Sequence, residues 1–320
     1  MVGIAAVTGD HALLFPQGIA MAWGVWAAAR PDWCRMGIRF ALVPTICAIG
    51  GVWFTEVGVS RLVAEWAALT TAIAVMAVSR TAIGPALAAG VLPAVAGVHS
   101  WTYPLAVLVT TVVVLAGRPM GNRRPQPEPA PPVAAGPGPE ELVLGLVLVW
   151  GIAAAWFWIV AAVGLPAAAA APPLLAALFE SVVGAPPGWR KSLRVSAVTV
   201  TVWVTGAVAT SLAPSLAVAG VASMGVAALV MTVSQVSYSP AVAMALVPLV
   251  RGPLGAPSEL ISGAAGLVLA ILVLFSCGAA AHWALGRLRL TSSGEDDGET
   301  SLGATGLRHA VDTPIPGSDP

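Results

Sequence analysis

The chain has 320 residues, 58% of them hydrophobic and only 9% charged, with a mean hydropathy of +0.87. That apolar content lies far above what a water-soluble domain carries and predicts an all-α polytopic membrane protein with the lipid bilayer as its first partner. Lysine plus arginine balance aspartate plus glutamate at 15 each, so no basic surface is indicated and a nucleic-acid partner is excluded.

The N-terminal M-V-G-I-A-A-V-T-G-D-H lacks a basic n-region and a cleavable apolar core, so insertion is expected to rely on the first membrane helix. A hydrocarbon core about 30 Å thick needs roughly 17 to 25 apolar residues per helix. Cutting the chain at its charged and Pro/Gly-rich joints predicts spans near 11–29, 37–55, 62–79, 82–98 and 101–117, a first membrane repeat over 1–117. Residues 118–140 are rich in proline, cannot pack a core and read as a solvated cytoplasmic linker. A linker transmembrane helix follows near 141–163. The second membrane repeat, over 164–290, holds segments near 166–184, 193–213, 215–233, 236–250 and 258–285. The expected total is about eleven transmembrane helices, in two five-helix repeats joined by the linker helix. The acidic, Gly/Pro-rich tail over 291–320 reads as disordered.

Arginine and lysine near helix ends are retained in the cytoplasm. With the N-terminus outside, Arg30, Arg35, Arg39, Arg80, Arg118, Arg123, Arg124, Arg190, Lys191, Arg194, Arg287 and Arg289 share one side, and Arg61 and Arg251 fall opposite. This predicts a multi-pass protein of the cell (inner) membrane with a cytoplasmic C-terminus. A re-entrant fourth segment would deliver Arg118, Arg123 and Arg124 to the outside, so that segment is read as a short, broken span. Trp33 and Trp189, beside basic clusters, and Trp101 with Tyr103 at the other face fit an aromatic belt.

The two halves match at a constant offset. Arg39 pairs with Arg194, Val43 with Val198, Gly51 with Gly206, Ser60 with Ser215, and V-M-A-V-S at 75–79 with V-M-T-V-S at 230–234. The matched stretches run on through S-R-T-A-I-G-P-A-L-A-A-G-V-L-P-A-V at 79–95 and S-Q-V-S-Y-S-P-A-V-A-M-A-L-V-P-L-V at 234–250. Equivalent helices are six spans apart, an even number, so the repeats are expected to be parallel, with a pseudo-two-fold axis along the membrane normal. Each copy places two prolines in an apolar segment, Pro85 and Pro93, then Pro240 and Pro248. If those segments are continuous helices, the carbonyls of Thr81, Ala89, Val236 and Met244 lose their amide partners. A Gly/Pro-interrupted segment at corresponding places in two halves points to a transporter's central site, although a simple helix kink is the competing reading.

Ile83-Gly84-Pro85-Ala86-x-Ala88 ending in Leu92-Pro93, with the flanks Ser79-Arg80-Thr81 and Ser100-Trp101-x-Tyr103-Pro104, resembles the signature segment of the HPP family of integral membrane proteins. Ile83 and Gly84 stand where that family has His and the first Pro of His-Pro-Pro-Ala-Gly-Ala, and Tyr238 and Ser239 stand there in the second copy. The resemblance implies a multi-helix protein of the transporter type, some plant members being linked to nitrite movement across an organelle membrane.

Candidate substrate-binding residues are Ser79, Arg80, Gly84, Pro85, Ser234, Gln235, Tyr238 and Pro240 around the breaks, with Ser237 and Ser239 beside them. Hydroxyl, amide and guanidinium donors there suit an anion, while the favoured reading of Arg80, and still more of Arg39 and Arg194, is a cytoplasmic end residue. Glu180 joins the candidates as an intramembrane carboxylate able to relay a proton, or to pair with Arg190 or Lys191. Glu56 and Glu65, bordering Arg61, read as interfacial. His11, His99, His282 and His309 have no partner at metal-ligand spacing, and Cys34, Cys47 and Cys277 read as packing residues, so neither a metal nor another cofactor is expected.

No nucleophile elbow, phosphate loop or HExxH motif is present, so an enzyme is not expected. Two classes remain: a transporter or facilitator of a small-molecule or ion substrate, and a non-transporting membrane scaffold that binds a partner. A homo-oligomer is left open. Cysteine labelling at positions within 120–138 and 292–318 is expected to place both stretches on the cytoplasmic face; periplasmic labelling of the linker contradicts the eleven-span count.

Overall fold

Prolines open helices and left-handed residues close them along the chain, because a proline at the first turn forfeits no helical hydrogen bond. The computed structural model describes residues 13–27, 31–117, 138–184, 189–236, 238–251 and 256–300. All regular structure among these residues is helical. The elements are α1 (Pro16–Ala22, continued by a π-turn Trp23–Ala27), α2 (Pro31–Arg35), α3 (Arg39–Glu56), α4 (Arg61–Ser79), α5 (Gly84–Ala96) and α6 (Thr102–Ala116). After the linker come α7 (Pro139–Val163), a 3-10 turn Ala167–Ala170, α8 (Pro173–Val183), α9 (Trp189–Leu212), α10 (Leu216–Ser234), α11 (Ser239–Arg251) and α12 (Pro257–Thr300).

A helix falls on each of the eleven segments expected from hydropathy. Five helices among the described residues are long and apolar enough to cross a bilayer: Arg61–Ser79, Pro139–Val163, Arg190–Leu212, Leu216–Ser234 and Pro257–Arg287. The linker at 118–137 and residues 301–320 lie outside the described residues. Contacts divide the chain into Met1–His282, which holds the helices discussed below, and Trp283–Pro320, in which the Arg287 guanidinium stacks 3.8 Å over the Trp283 ring.

The shortest of the motif-bearing helices are the most enclosed. Every residue from Gly84 to Val95 in α5 is buried, as is every residue from Ser239 to Leu249 in α11. The long helices do the opposite, burying one side and exposing Val63 of α4, Val147 of α7 and Val221 and Leu229 of α10. A helix apolar all round belongs in a core, and one with a single buried face belongs at its edge. In the first half α3, α4 and α8 surround α5; in the second, α9, α10 and α1 surround α11. The leading helix of each half thus lies against the short helix of the other.

Such enclosure requires backbones to approach closely. Gly51 of α3 lies against the Gly90 carbonyl of α5, and Gly206 of α9 against the Ala245 carbonyl of α11, so close that a Cβ at either glycine would overlap the carbonyl oxygen. In lipid, helix association depends on this kind of small-residue packing, since the tails are as apolar as leucine. Gly51→Ala and Gly206→Ala are therefore expected to destabilise the detergent-solubilised protein by about 1–3 kcal/mol each. Gly225→Ala, where α10 has open space, is the control and should leave the thermal midpoint unchanged or slightly raised.

Candidate functional site

The two proline-bearing stretches begin with a helix stop. At the end of α4, Arg80 adopts the left-handed conformation (φ 51°), its N–H donates to the Ala77 carbonyl at 3.2 Å, and the Thr81 N–H donates to the Met76 carbonyl at 3.1 Å. At the end of α10 the same pattern recurs: Gln235 has φ 54°, its N–H donates to Thr232 at 3.3 Å, and the Val236 N–H donates to Met231 at 3.1 Å. This is a Schellman cap, and it usually employs glycine because a side chain is strained there.

The caps change the reading of two prolines. Expected inside continuous helices, Pro85 and Pro240 instead lie in the first turns of α5 and α11, after the chain has left helical geometry at 80–83 and again at 235–236 and 238. No helical hydrogen bond is broken there, so the Thr81 and Val236 carbonyls are not orphaned by a proline. Pro93 and Pro248 do lie within helices. The carbonyl that Pro93 releases, that of Ala89, accepts a hydrogen bond from the hydroxyl of buried Tyr103 at 3.0 Å. Protein, rather than a passing solute, occupies this acceptor.

The polar side chains of the motif serve the caps in the same way. Ser79 Oγ donates to the Val75 carbonyl at 2.6 Å and lies 2.8 Å from Thr81 Oγ1, Ser234 Oγ donates to Met231 at 3.3 Å, and Gln235 Nε2 donates to Thr232 at 2.7 Å. Arg80 is exposed and, with Glu140, borders a largely apolar groove of about 580 Å³ between the end of α4 and the start of α7. Gly84 faces α8, where a Cβ would lie 3.2 Å from the Ala176 carbonyl oxygen and 3.4 Å from the Ala176 Cβ. One turn further along α8 is half-buried Glu180. Tyr238 packs edge-on against Phe275 of α12, with ring centroids 6.4 Å apart. Ser237 lies outside the described residues.

Other acidic and basic residues find partners. Glu65, read from sequence as interfacial, is buried at 4% exposure, and its carboxylate accepts from Arg61 Nε at 2.8 Å. His99 Nδ1 lies 3.6 Å from Glu56 Oε1, and His282 Nδ1 lies 3.2 Å from the Val182 carbonyl. Among the described residues no group of three His, Cys, Asp or Glu side chains is placed to hold a metal.

The residue that the sequence reading passed over is Gln17. It sits in the first turn of α1 at 1% exposure, and neither its amide nitrogen nor its amide oxygen has a hydrogen-bond partner among the described residues. Ser239, the first residue of α11, is 6% exposed and its hydroxyl likewise has none. The available signal was the lone carboxamide in the apolar run F-P-Q-G-I-A-M.

No protein-family model, curated protein or solved structure matches the chain.

Tyr103→Phe is expected to cost about 1–3 kcal/mol by leaving the Ala89 carbonyl buried without a donor. In a Pro93→Ala background, where an amide N–H returns to that carbonyl, the same substitution should cost markedly less. A double-mutant cycle on thermal or denaturant unfolding reads the difference.

Proposed function

We propose that the chain is an integral membrane transporter or facilitator of a small solute, built from two parallel repeats, with the solute path between the repeats at α5 and α11. The observation that carries this reading is the pair of short, enclosed helices at matching places in the two halves. Both ends of α4 and α10, and both ends of α5 and α11, are separated by the same 155 residues, as from Arg61 to Leu216. The caps, the glycine approaches and the exchanged leading helices share that spacing or its equivalent. Paired interruptions of this kind mark the binding region of many secondary transporters.

Length supports α5 as a crossing segment. Its 13 residues supply about 20 Å of helix, and the non-helical residues 81–83, of which Ile83 is extended, can add up to about 10 Å, together close to the thickness of a hydrocarbon core. His99, just beyond α5, lies beside Glu56 at the end of α3, which is where a segment that had crossed alongside α3 would emerge. With this count the positive-inside rule favours an inner-membrane protein with its N-terminus outside and its C-terminus in the cytoplasm. The resemblance to the HPP family's signature segment agrees with a transporter role.

Movement between the halves is favoured at the exchanged contacts. α5 and α11 touch each other only briefly, so the halves are held together by α1 against α11, by α8 against α5 and by the linker helix α7, which packs on both α4 and α8. Gly84 on Ala176 is a smooth, small-residue contact on which one half can slide over the other. No nucleotide-binding motif is present in the sequence, so passage would be passive, ion-coupled or driven by a separate subunit.

A Cβ at Gly84 would lie 3.4 Å from that of Ala176, at the short edge of the spacing a disulfide spans. After replacement of Cys34, Cys47 and Cys277, the pair Gly84→Cys and Ala176→Cys is expected to stop solute flux in proteoliposomes on oxidation and to restore it on reduction. Absence of flux across a broad panel of small neutral and charged solutes, in the reduced protein as in the oxidised, would favour a non-transporting scaffold.

A further inference from the structure

The end of α4 carries a charge that its cap does not need. Gln235 closes α10 with the same left-handed turn that Arg80 gives α4, so an uncharged side chain serves the cap equally well. The Gln235 amide is bonded back to the Thr232 carbonyl, whereas the exposed Arg80 guanidinium has no hydrogen-bond or ion-pair partner among the described residues. Glu140, in the first turn of α7, is likewise exposed and without a partner among the described residues. Its neighbour Glu141 is engaged, accepting from the Gly138 N–H at 3.3 Å.

Both charges border one groove. Trp66 Nε1 of α4 donates to the Ala154 carbonyl of α7 at 3.2 Å, and Trp150 Nε1 of α7 donates to Thr70 Oγ1 of α4 at 2.9 Å. These two bonds set an antiparallel register, and the same register carried along the helices brings Arg80 level with Glu140. Around the pair opens the groove of about 580 Å³, whose walls include the apolar Ala77, Val78, Leu142, Val143, Leu144 and Val147. α4 and α7 are both long and apolar enough to cross a bilayer. The 19 residues of α4 span about 28 Å, close to the thickness of a hydrocarbon core, so Arg80 just past its end and Glu140 at the start of α7 fall at headgroup level. From Glu140 to Val147 the helix advances about 10 Å, which puts the apolar walls at the depth of the acyl chains. Val78, Val143 and Val147 are exposed there.

Charge complementarity selects the occupant. A guanidinium takes a phosphate through two parallel N–H donors, and the apolar walls beneath it suit an acyl chain. An anionic phospholipid would set its unbalanced charge beside the Glu140 carboxylate, and a fatty acid would leave that carboxylate without a counter-charge. A headgroup in which a phosphate is followed by a primary ammonium answers both, with the phosphate on Arg80 and the three N–H donors of the ammonium on Glu140. We propose that the groove between the end of α4 and the start of α7 is a binding site for a phospholipid of the phosphatidylethanolamine type. This site goes beyond the transport reading and does not rest on it.

The test is lipid retention by the delipidated, detergent-solubilised full chain. Native mass spectrometry and the thermal midpoint are read after adding phosphatidylethanolamine, phosphatidylglycerol or phosphatidylcholine in mixed micelles, with water-soluble phosphoethanolamine as the headgroup alone. Wild type is expected to retain phosphatidylethanolamine several-fold more than phosphatidylglycerol, or than phosphatidylcholine, whose quaternary ammonium has no N–H to donate, and to melt higher with it. Arg80→Gln gives this cap the residue that closes α10, so it should melt like wild type without lipid and lose the phosphatidylethanolamine gain. Glu140→Gln should hold phosphatidylethanolamine and phosphatidylglycerol alike, and Val143→Trp, which fills the groove, should lower retention of all three lipids. Equal retention of the three lipids by wild type, as expected where boundary lipid or another part of the chain covers the groove, overturns the proposal. So does a preference that survives in R80Q and E140Q. A midpoint raised as far by phosphoethanolamine as by the lipid also overturns it, because the site would then hold a soluble headgroup. No flux is measured, so failure here leaves the transport reading standing, and a chain that moves no solute can still show the lipid preference.

Discussion

Two helices too short to cross a membrane unaided are enclosed by protein over Gly84–Val95 and Ser239–Leu249, and this constraint organises the rest of the molecule. A 13-residue helix containing proline can be covered on all sides only if its neighbours bring their backbones close. Glycines supply that approach: Gly51 admits the carbonyl edge of Gly90, and Gly206 admits that of Ala245. With no hydrophobic driving force between helices inside lipid, stability has to come from this packing and from satisfied backbone groups. The left-handed stops at Arg80 and Gln235 follow from the same demand, since they end the preceding long helices and aim the chain back into the bundle.

Much of this was legible in the sequence. Hydropathy and the Pro/Gly punctuation placed a helix at each expected segment, and the constant offset anticipated the shared bounds of α4 with α10 and α5 with α11. The interior of the motif was less legible. That Pro85 and Pro240 open helices rather than kink them depends on the residues before them leaving helical geometry, and a left-handed arginine or glutamine carries no local signal comparable to glycine. That the Ala89 carbonyl is taken depends on Tyr103, fourteen residues away and on another helix. That Glu65 is covered by protein depends on the helices packed around it, while its partner Arg61 lies one turn away on the same helix and was named beside it from the sequence.

The candidate site shows the same division. Polar residues clustered around the breaks in sequence, and in space most of them cap their own helices, which accounts for their pattern without a ligand. Gln17 sat outside the cluster, and it is buried in a helix, α1, that packs against α11 as well as against α5 and α6. Residue type was visible in the sequence; the tertiary packing that buries it was not.

That exchange of leading helices is the claim on which the account rests most heavily. It is tested by expressing residues 1–130 and 131–320 as separate chains, alone and together. The account predicts that neither half gives a monodisperse, cooperatively melting protein alone, because α11 lacks α1 in one and α5 lacks α8 in the other, and that the two co-purify as a folded complex. A half that folds stably by itself, with no gain from its counterpart, would contradict it.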